Sequence, residues 1–169
     1  MDIKKNKINK FIENNNIPNL LIYGPYLNGK EELCTYFINK LQISNDYILN
    51  INCLTTNGIK LIKEHIKLFS MQIINKNFNN IFKIIILKFC EYLTYDSQYS
   101  LRRTIEQFSH NTKFVLLCEN KNKLLLPICS RFVDIYVNVI KFSPYYCIDN
   151  FKYNIFNTLM NKYNYLCNN

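Results

Sequence analysis

Gly24-Pro25-Tyr26-Leu27-Asn28-Gly29-Lys30-Glu31 sets two of the chain's three glycines five residues apart, with a lysine directly after the second. Successive backbone N–H groups at the start of a helix can enclose an anion, and a lysine there adds a point charge. The spacing is that of a phosphate-binding loop, G-x-x-x-x-G-K-[ST], up to its last position. There a Ser or Thr hydroxyl would hold Mg²⁺, and this chain has Glu31 followed by Glu32. A carboxylate about 4 Å from phosphate oxygens would cost roughly 1 to 4 kcal/mol per charge pair. The same acid favours a helix when it sits in the first turn with no phosphate nearby. Gly24, Pro25, Asn28, Gly29 and Lys30 are the candidate nucleotide-binding residues. ATP or ADP is expected to bind weakly or not at all, and Mg²⁺ is not expected. A plain strand-to-helix turn containing two glycines is the competing reading.

Other chemistries find less support. Seven cysteines stand at 34, 53, 90, 118, 129, 147 and 167, with no C-x-x-C pair and two histidines, His65 and His110. No metal site is expected from that spacing. Cys53, Cys90 and Cys118 adjoin apolar runs and read as small buried residues. An odd cysteine count without a signal-peptide pattern points to an intracellular, reducing compartment: nucleus, cytoplasm or a viral replication site. No apolar stretch approaches the roughly 18 residues of a membrane span. The net charge of +9, from 21 Lys and Arg against 12 Asp and Glu, favours an anionic partner. An Asn-, Ile-, Lys- and Tyr-rich composition, the mark of AT-rich coding, supplies surface lysines by default, so both readings of the charge stay open.

The elements that must position the loop follow from hydrophobic pattern. Leu20–Tyr23, Tyr47–Ile51, Phe82–Leu87, Phe114–Cys118 and Val133–Val137 are short apolar runs, as parallel strands buried on both faces should be. Helical spacing marks Glu31–Leu41, Ile59–Phe69, Ser97–Phe108, capped by Thr94 or Asp96, and Ile148–Leu166. The alternation predicts a doubly wound, five-stranded parallel sheet with helices on both faces. Ligands bind such sheets at the carboxyl ends of the strands, where the glycine loop falls.

Several phrases in order carry a resemblance. Ile17-Pro18-Asn19-Leu20-Leu21-Ile22-Tyr23-Gly24-Pro25 resembles the opening of clamp-loader AAA+ subunits. Ile51-Asn52-Cys53 through Asn57-Gly58-Ile59 resembles their second strand and the helix after it. Leu93-Thr94-Tyr95-Asp96-Ser97-Gln98-Tyr99-Ser100-Leu101-Arg102-Arg103-Thr104-Ile105-Glu106 is similar to the family's "LTxxAQxALRRxhE". Asn111-Thr112-Lys113-Phe114 and Pro127-Ile128-Cys129-Ser130-Arg131-Phe132 resemble "NTRF" and "PIxSRC". This is the pattern of replication factor C small subunits and the bacterial delta-prime subunit, over roughly residues 8–137.

The resemblance implies a P-loop NTPase AAA+ core over 1–140, with 141–169 as a helical remnant of the lid; the rest of the lid and the helical collar are expected to be missing. It implies a damaged ATPase site. Lys88 stands where the family's Walker B Asp holds Mg²⁺, Phe89 where its Glu polarises water, and Glu119 at the sensor-1 Asn position, with Asn120 one residue off. Lys88 could compensate Glu31 or bind a phosphate without metal. Phosphoryl transfer depends on positioning and charge stabilisation, so a site changed at three of these positions is expected not to turn over.

Arg131 aligns with the arginine finger that clamp-loader subunits offer to a neighbour's ATP; an ordinary surface arginine is the alternative. The implied function is a non-catalytic clamp-loader protein in DNA replication. Its expected partners are clamp-loader ATPase subunits or a sliding clamp, and double-stranded DNA through Lys60, Lys63, Lys67, Arg102 and Arg103. Two rivals remain: a weak ATPase using Glu31 or Glu91 at an unusual metal site, and a free-standing basic DNA-binding module with a fossil loop.

Overall fold

The computed structural model describes residues 2–26, 28–55, 62–72 and 82–138. The helix expected over Ile148–Leu166, and with it the lid remnant, lies outside the described residues.

Strands β1 (Leu20–Tyr23), β2 (Ile48–Asn52), β3 (Lys83–Lys88), β4 (Thr112–Cys118) and β5 (Val133–Tyr136) form one sheet in the order β2-β3-β4-β1-β5. Every pairing is parallel, with Leu20 level with Val115 and Val133, and Asn52 level with Lys88. The expected strands differ from these by no more than two residues at an end. Both faces are buried because alternate residues of each apolar run point into different cores. Leu20, Ile22, Ile84, Ile86, Val115, Leu117 and Ile135 share one core with Ile8, Leu33, Cys34 and Phe37. Leu21, Ile51, Ile85, Leu87, Phe114 and Leu116 share the other with Ile66, Leu101 and Ile105. Each fully buried Leu or Ile contributes about 1.5 to 3 kcal/mol, so a continuous apolar run is most stable between two helical layers.

Helices α1 (Asp2–Glu13) and α2 (Lys30–Leu41) supply the first layer. Helix α1 has no counterpart among the expected helices, because lysines dominate its sequence. Ile8, Phe11 and Ile12 recur at helical spacing beneath them, with Ile8 buried. The second layer holds a π-helical turn, Ile62–Ile66, that runs into α3 (Lys67–Met71), and α4 (Tyr95–Phe108). The first residues of the helix expected over Ile59–Phe69 lie outside the described residues. Thr94, not Asp96, caps α4: its side-chain oxygen accepts the Ser97 N–H at 3.3 Å. A short α5 (Leu126–Cys129) leads into β5.

Lys83, the first residue of β3, is buried, yet its ammonium is well supplied. It donates to the carbonyls of Phe69 at 2.6 Å and Gln72. These carbonyls lie at the end of α3, where a helix has no partners of its own. Burial draws the Lys83 pKa below the ordinary lysine value. Among the described residues, no helix is long and apolar enough to cross a membrane.

Candidate functional site

β1, β3 and β4 end side by side, and the segments that follow them build the site. The glycine loop leaves β1 with the Gly24 N–H donating to the Cys118 carbonyl at 3.3 Å. Gly24 has φ +148, and a Cβ there would run into the Val137 carbonyl and the Asn28 amide. Asn28 is buried and donates its Nδ2 to that same Val137 carbonyl, while the Val137 N–H donates to the Tyr23 carbonyl at 2.7 Å. The loop is thus clasped to the chain just beyond β5. Gly29 takes the left-handed conformation, φ +83, that turns the loop into α2. Lys30 Nζ donates to the carbonyls of Gly24 and Pro25, both at 2.7 Å. The lysine therefore spans its own loop. Burial draws its pKa below the ordinary value, opposed by the nearby carboxylates of Glu119 and Glu91.

Glu31 does not stand alone. Lys88 Nζ lies 2.5 Å from Glu31 Oε2, so the last residue of β3 is paired with the first turn of α2. These are the two positions at which the family resemblance implies Mg²⁺ ligands. A divalent cation placed between them would sit against an ammonium, with a single carboxylate to hold it, and the donor set does not fit one. Phe89 follows with φ +56, a conformation that costs a bulky residue on the order of 1 to 3 kcal/mol. Its phenyl ring has no proton to exchange with water. Glu91 is buried, and its Oε1 accepts the Glu119 N–H at 2.9 Å. Glu119 itself is exposed, directly after β4. Asn120 Oδ1 accepts the Asn122 N–H at 2.9 Å and so caps the turn Lys121–Lys123.

Arg131 stands apart from the loop, between α5 and β5. Its guanidinium pairs with Glu106 on α4, donates to the Pro127 carbonyl, and reaches Ser130 Oγ at 3.3 Å. Arg102 Nε donates to the same Glu106 oxygen at 3.0 Å. The two arginines hold the Glu106 carboxyl below the usual carboxylate range, Arg102 first. Arg103 and Lys67 are exposed; Lys60 and the side chain of Lys63 lie outside the described residues.

The sequence pattern of the family described as "DNA polymerase III, delta subunit" matches residues 28–141, more than half of the chain. The replication factor C small subunit of Saccharolobus solfataricus is 33% identical over 127 residues, which cover 74% of this chain and 38% of that protein. Replication factor C small subunit 1 of Pyrobaculum islandicum is 32% identical over 143 residues, 83% of this chain and 41% of that one. The chain belongs to the clamp-loader AAA+ family. Two solved structures share the fold. A DNA polymerase III gamma subunit-related protein of Thermotoga maritima matches with TM-score 0.59 at 24% identity, over 73% of this chain and 42% of that one. The RuvB Holliday junction branch migration motor of the same organism matches with TM-score 0.65 at 15% identity, over 85% and 46%. The chain spans about two fifths of the length of the replication factor C relatives.

Within this clamp-loader AAA+ core, one buried and one exposed arrangement escaped the sequence reading. Gln98 is buried and fully engaged: its Nε2 donates to Leu93 O at 3.1 Å and Lys123 O at 3.2 Å, and its Oε1 accepts the Leu125 N–H at 2.9 Å. It ties α4 to the segment before Arg131. Glu106 is the other: its spacing of four from Arg102 is visible in sequence, but its second partner, Arg131, arrives only through the fold.

Proposed function

We propose that this protein is a non-catalytic clamp-loader component in DNA replication that offers Arg131 to the ATP site of a partner ATPase subunit. The observation that carries the reading is the Lys88–Glu31 pair. With an ammonium at the metal position and Phe89 where a water-polarising carboxylate is needed, the chain's own site lacks the charges that phosphoryl transfer requires. Nucleotide binds weakly or not at all, and without Mg²⁺. The replication factor C relatives support assembly with other clamp-loader subunits.

Arg131 remains available for the trans role. Its partner Glu106 is partly solvated, and such pairs are easily exchanged. A phosphate with greater negative charge, offered by a neighbouring subunit, would draw the guanidinium away. A contact of this kind is worth about 10³ to 10⁵ in rate in related NTPases. The net charge of +9, with Lys67 and Arg103 exposed, supports an accompanying contact with duplex DNA phosphates.

The test is ATP hydrolysis by the partner ATPase subunits, with this protein added as wild type, Arg131→Ala or Lys30→Ala. Loss of stimulation with Arg131→Ala and its retention with Lys30→Ala is the expected result. Equal stimulation by wild type and Arg131→Ala would remove the trans role, and hydrolysis by the protein alone that is lost with Lys30→Ala would make it an ATPase.

A further inference from the structure

Beneath the loop lies a group of metal-ligating side chains that neither the loop nor Arg131 uses. One ligand atom each from Cys90, Glu91 and Cys118 lies within 4.8 Å of the others. They converge from two neighbouring strand ends: Cys118 closes β4, and Cys90 and Glu91 follow the left-handed turn at Phe89 just past β3. Their exposures are 0% for Cys90, 8% for Glu91 and 1% for Cys118. Cys53, outside that trio, lies in the same core at the end of a third strand. It follows β2 directly, its N–H donates to the Lys88 carbonyl at 3.0 Å, and it belongs to the same buried cluster.

The carboxylate is the decisive member. Glu91 Oε1 takes the Glu119 N–H, but Oε2 is buried and has no hydrogen-bond partner among the described residues. A carboxylate oxygen buried in this way calls for a proton, an ordered water or a cation. Two thiols stand next to it, and both surrender their protons to a suitable metal. We propose that Cys90, Cys118 and Glu91, with Cys53 of the same core drawn in as fourth donor, form a closed structural site for one thiophilic cation of the Zn²⁺ class.

Tetrahedral Zn²⁺ takes thiolate sulfur at about 2.3 Å and carboxylate oxygen at about 2.0 to 2.2 Å, so its ligand atoms lie roughly 3.5 to 4 Å from one another. The described spacing is within a small side-chain adjustment of that. Sulfur donors in a dry core select Zn²⁺, Cd²⁺ or Cu⁺ and reject Mg²⁺ and Ca²⁺. Binding forms metal–sulfur and metal–oxygen bonds and sends the thiol protons to solvent, with no change of oxidation state. The site shares no residue with the Lys88–Glu31 pair and does not depend on the trans role of Arg131. A cation here would clip together the ends of β2, β3 and β4 at the edge of the sheet that bears the degenerate loop. The spacing of cysteines in sequence could not show it, because each cysteine arrives from a different strand end.

The test uses the full chain, reduced and stripped of metal by a chelator, titrated with Co²⁺ and then with Zn²⁺. The expected result is one equivalent bound, a thiolate-to-cobalt charge-transfer band that Zn²⁺ bleaches, and a higher unfolding temperature. Cys90→Ser and Cys118→Ala should weaken binding roughly 100-fold or more, and Glu91→Gln measurably. Cys34→Ala, which alters a buried thiol in the other core, should leave it unchanged. X-ray absorption of the wild-type zinc form, reading sulfur together with oxygen neighbours, keeps the test decisive where a variant fails to fold. The proposal is overturned by no stoichiometric uptake, by a band that survives both cysteine variants, or by one lost on replacing Cys147 or Cys167 instead.

Discussion

Lys88 Nζ stands 2.5 Å from Glu31 Oε2, so an ammonium and a carboxylate neutralise each other at the two positions where the family resemblance implies that Mg²⁺ is held. Either residue alone would be an obstacle: Glu31 would repel a phosphate, and Lys88 would repel a metal. Together they form a self-contained pair that needs neither.

The pair is partly solvated, with side-chain exposures of 32% for Lys88 and 60% for Glu31, which limits its worth to about 0.2 to 1 kcal/mol. Glu31→Gln and Lys88→Gln should each change the free energy of unfolding by no more than about 1 kcal/mol in urea denaturation. A loss several times larger would mean that the pair supports the fold itself. The combined change Glu31→Thr with Lys88→Asp should create Mg²⁺-dependent nucleotide binding that neither single change gives, read by fluorescence of a labelled nucleotide.

Gly24→Ala tests the clasp between the loop and the end of β5. The new methyl meets the Val137 carbonyl, a backbone atom that cannot swing aside, at a φ of +148 that side chains rarely adopt. The expected cost is about 1 to 3 kcal/mol or more, seen as a melting temperature lowered by several degrees.

Lys83→Met keeps the aliphatic stem and removes the ammonium that serves the Phe69 and Gln72 carbonyls. A charge-assisted bond is lost and helix-end carbonyls are left to find water, so the expected destabilisation is about 2 to 4 kcal/mol by chemical denaturation. Faster amide exchange in α3, with β1 and β4 unaffected at first, would be the local signature.

Much of the fold was legible because a doubly buried strand needs a continuous apolar run. Ile84-Ile85-Ile86-Leu87 has few other uses in a soluble core. The loop was legible because its two glycines answer a backbone need, at φ +148 and +83. The helix α1 was hidden because its three core-facing residues, Ile8, Phe11 and Ile12, are spread among lysines and asparagines. The family resemblance raised the possibility that Lys88 compensates Glu31, but their 57 residues of separation give no distance. Glu106 as partner of Arg131, and the meeting of Cys90 with Cys118, depend on tertiary placement that no local spacing encodes.

The Cys34 thiol gives a pH dependence. Burial pushes it up to about 12 from an ordinary 9.0. Below about pH 9 both folded and unfolded chains keep this proton. Between about 9 and 12 the unfolded chain loses it and the folded chain does not, so Cys34 lowers stability as pH rises through that window. The stability cost of Cys34→Ala should therefore shrink above about pH 9, by at most about 1.4 kcal/mol per pH unit. Parallel urea curves at several alkaline pH values read the difference; a cost that grows with pH would reverse the assignment.

Calorimetric titration of the purified protein with ATP, with and without Mg²⁺, tests most directly whether the site has been closed to metal-dependent chemistry. With Lys88 paired to Glu31 and Lys30 spanning its own loop, the expected result is weak or undetectable binding that Mg²⁺ does not improve. Tight binding that requires Mg²⁺ and disappears with Lys30→Ala would contradict it.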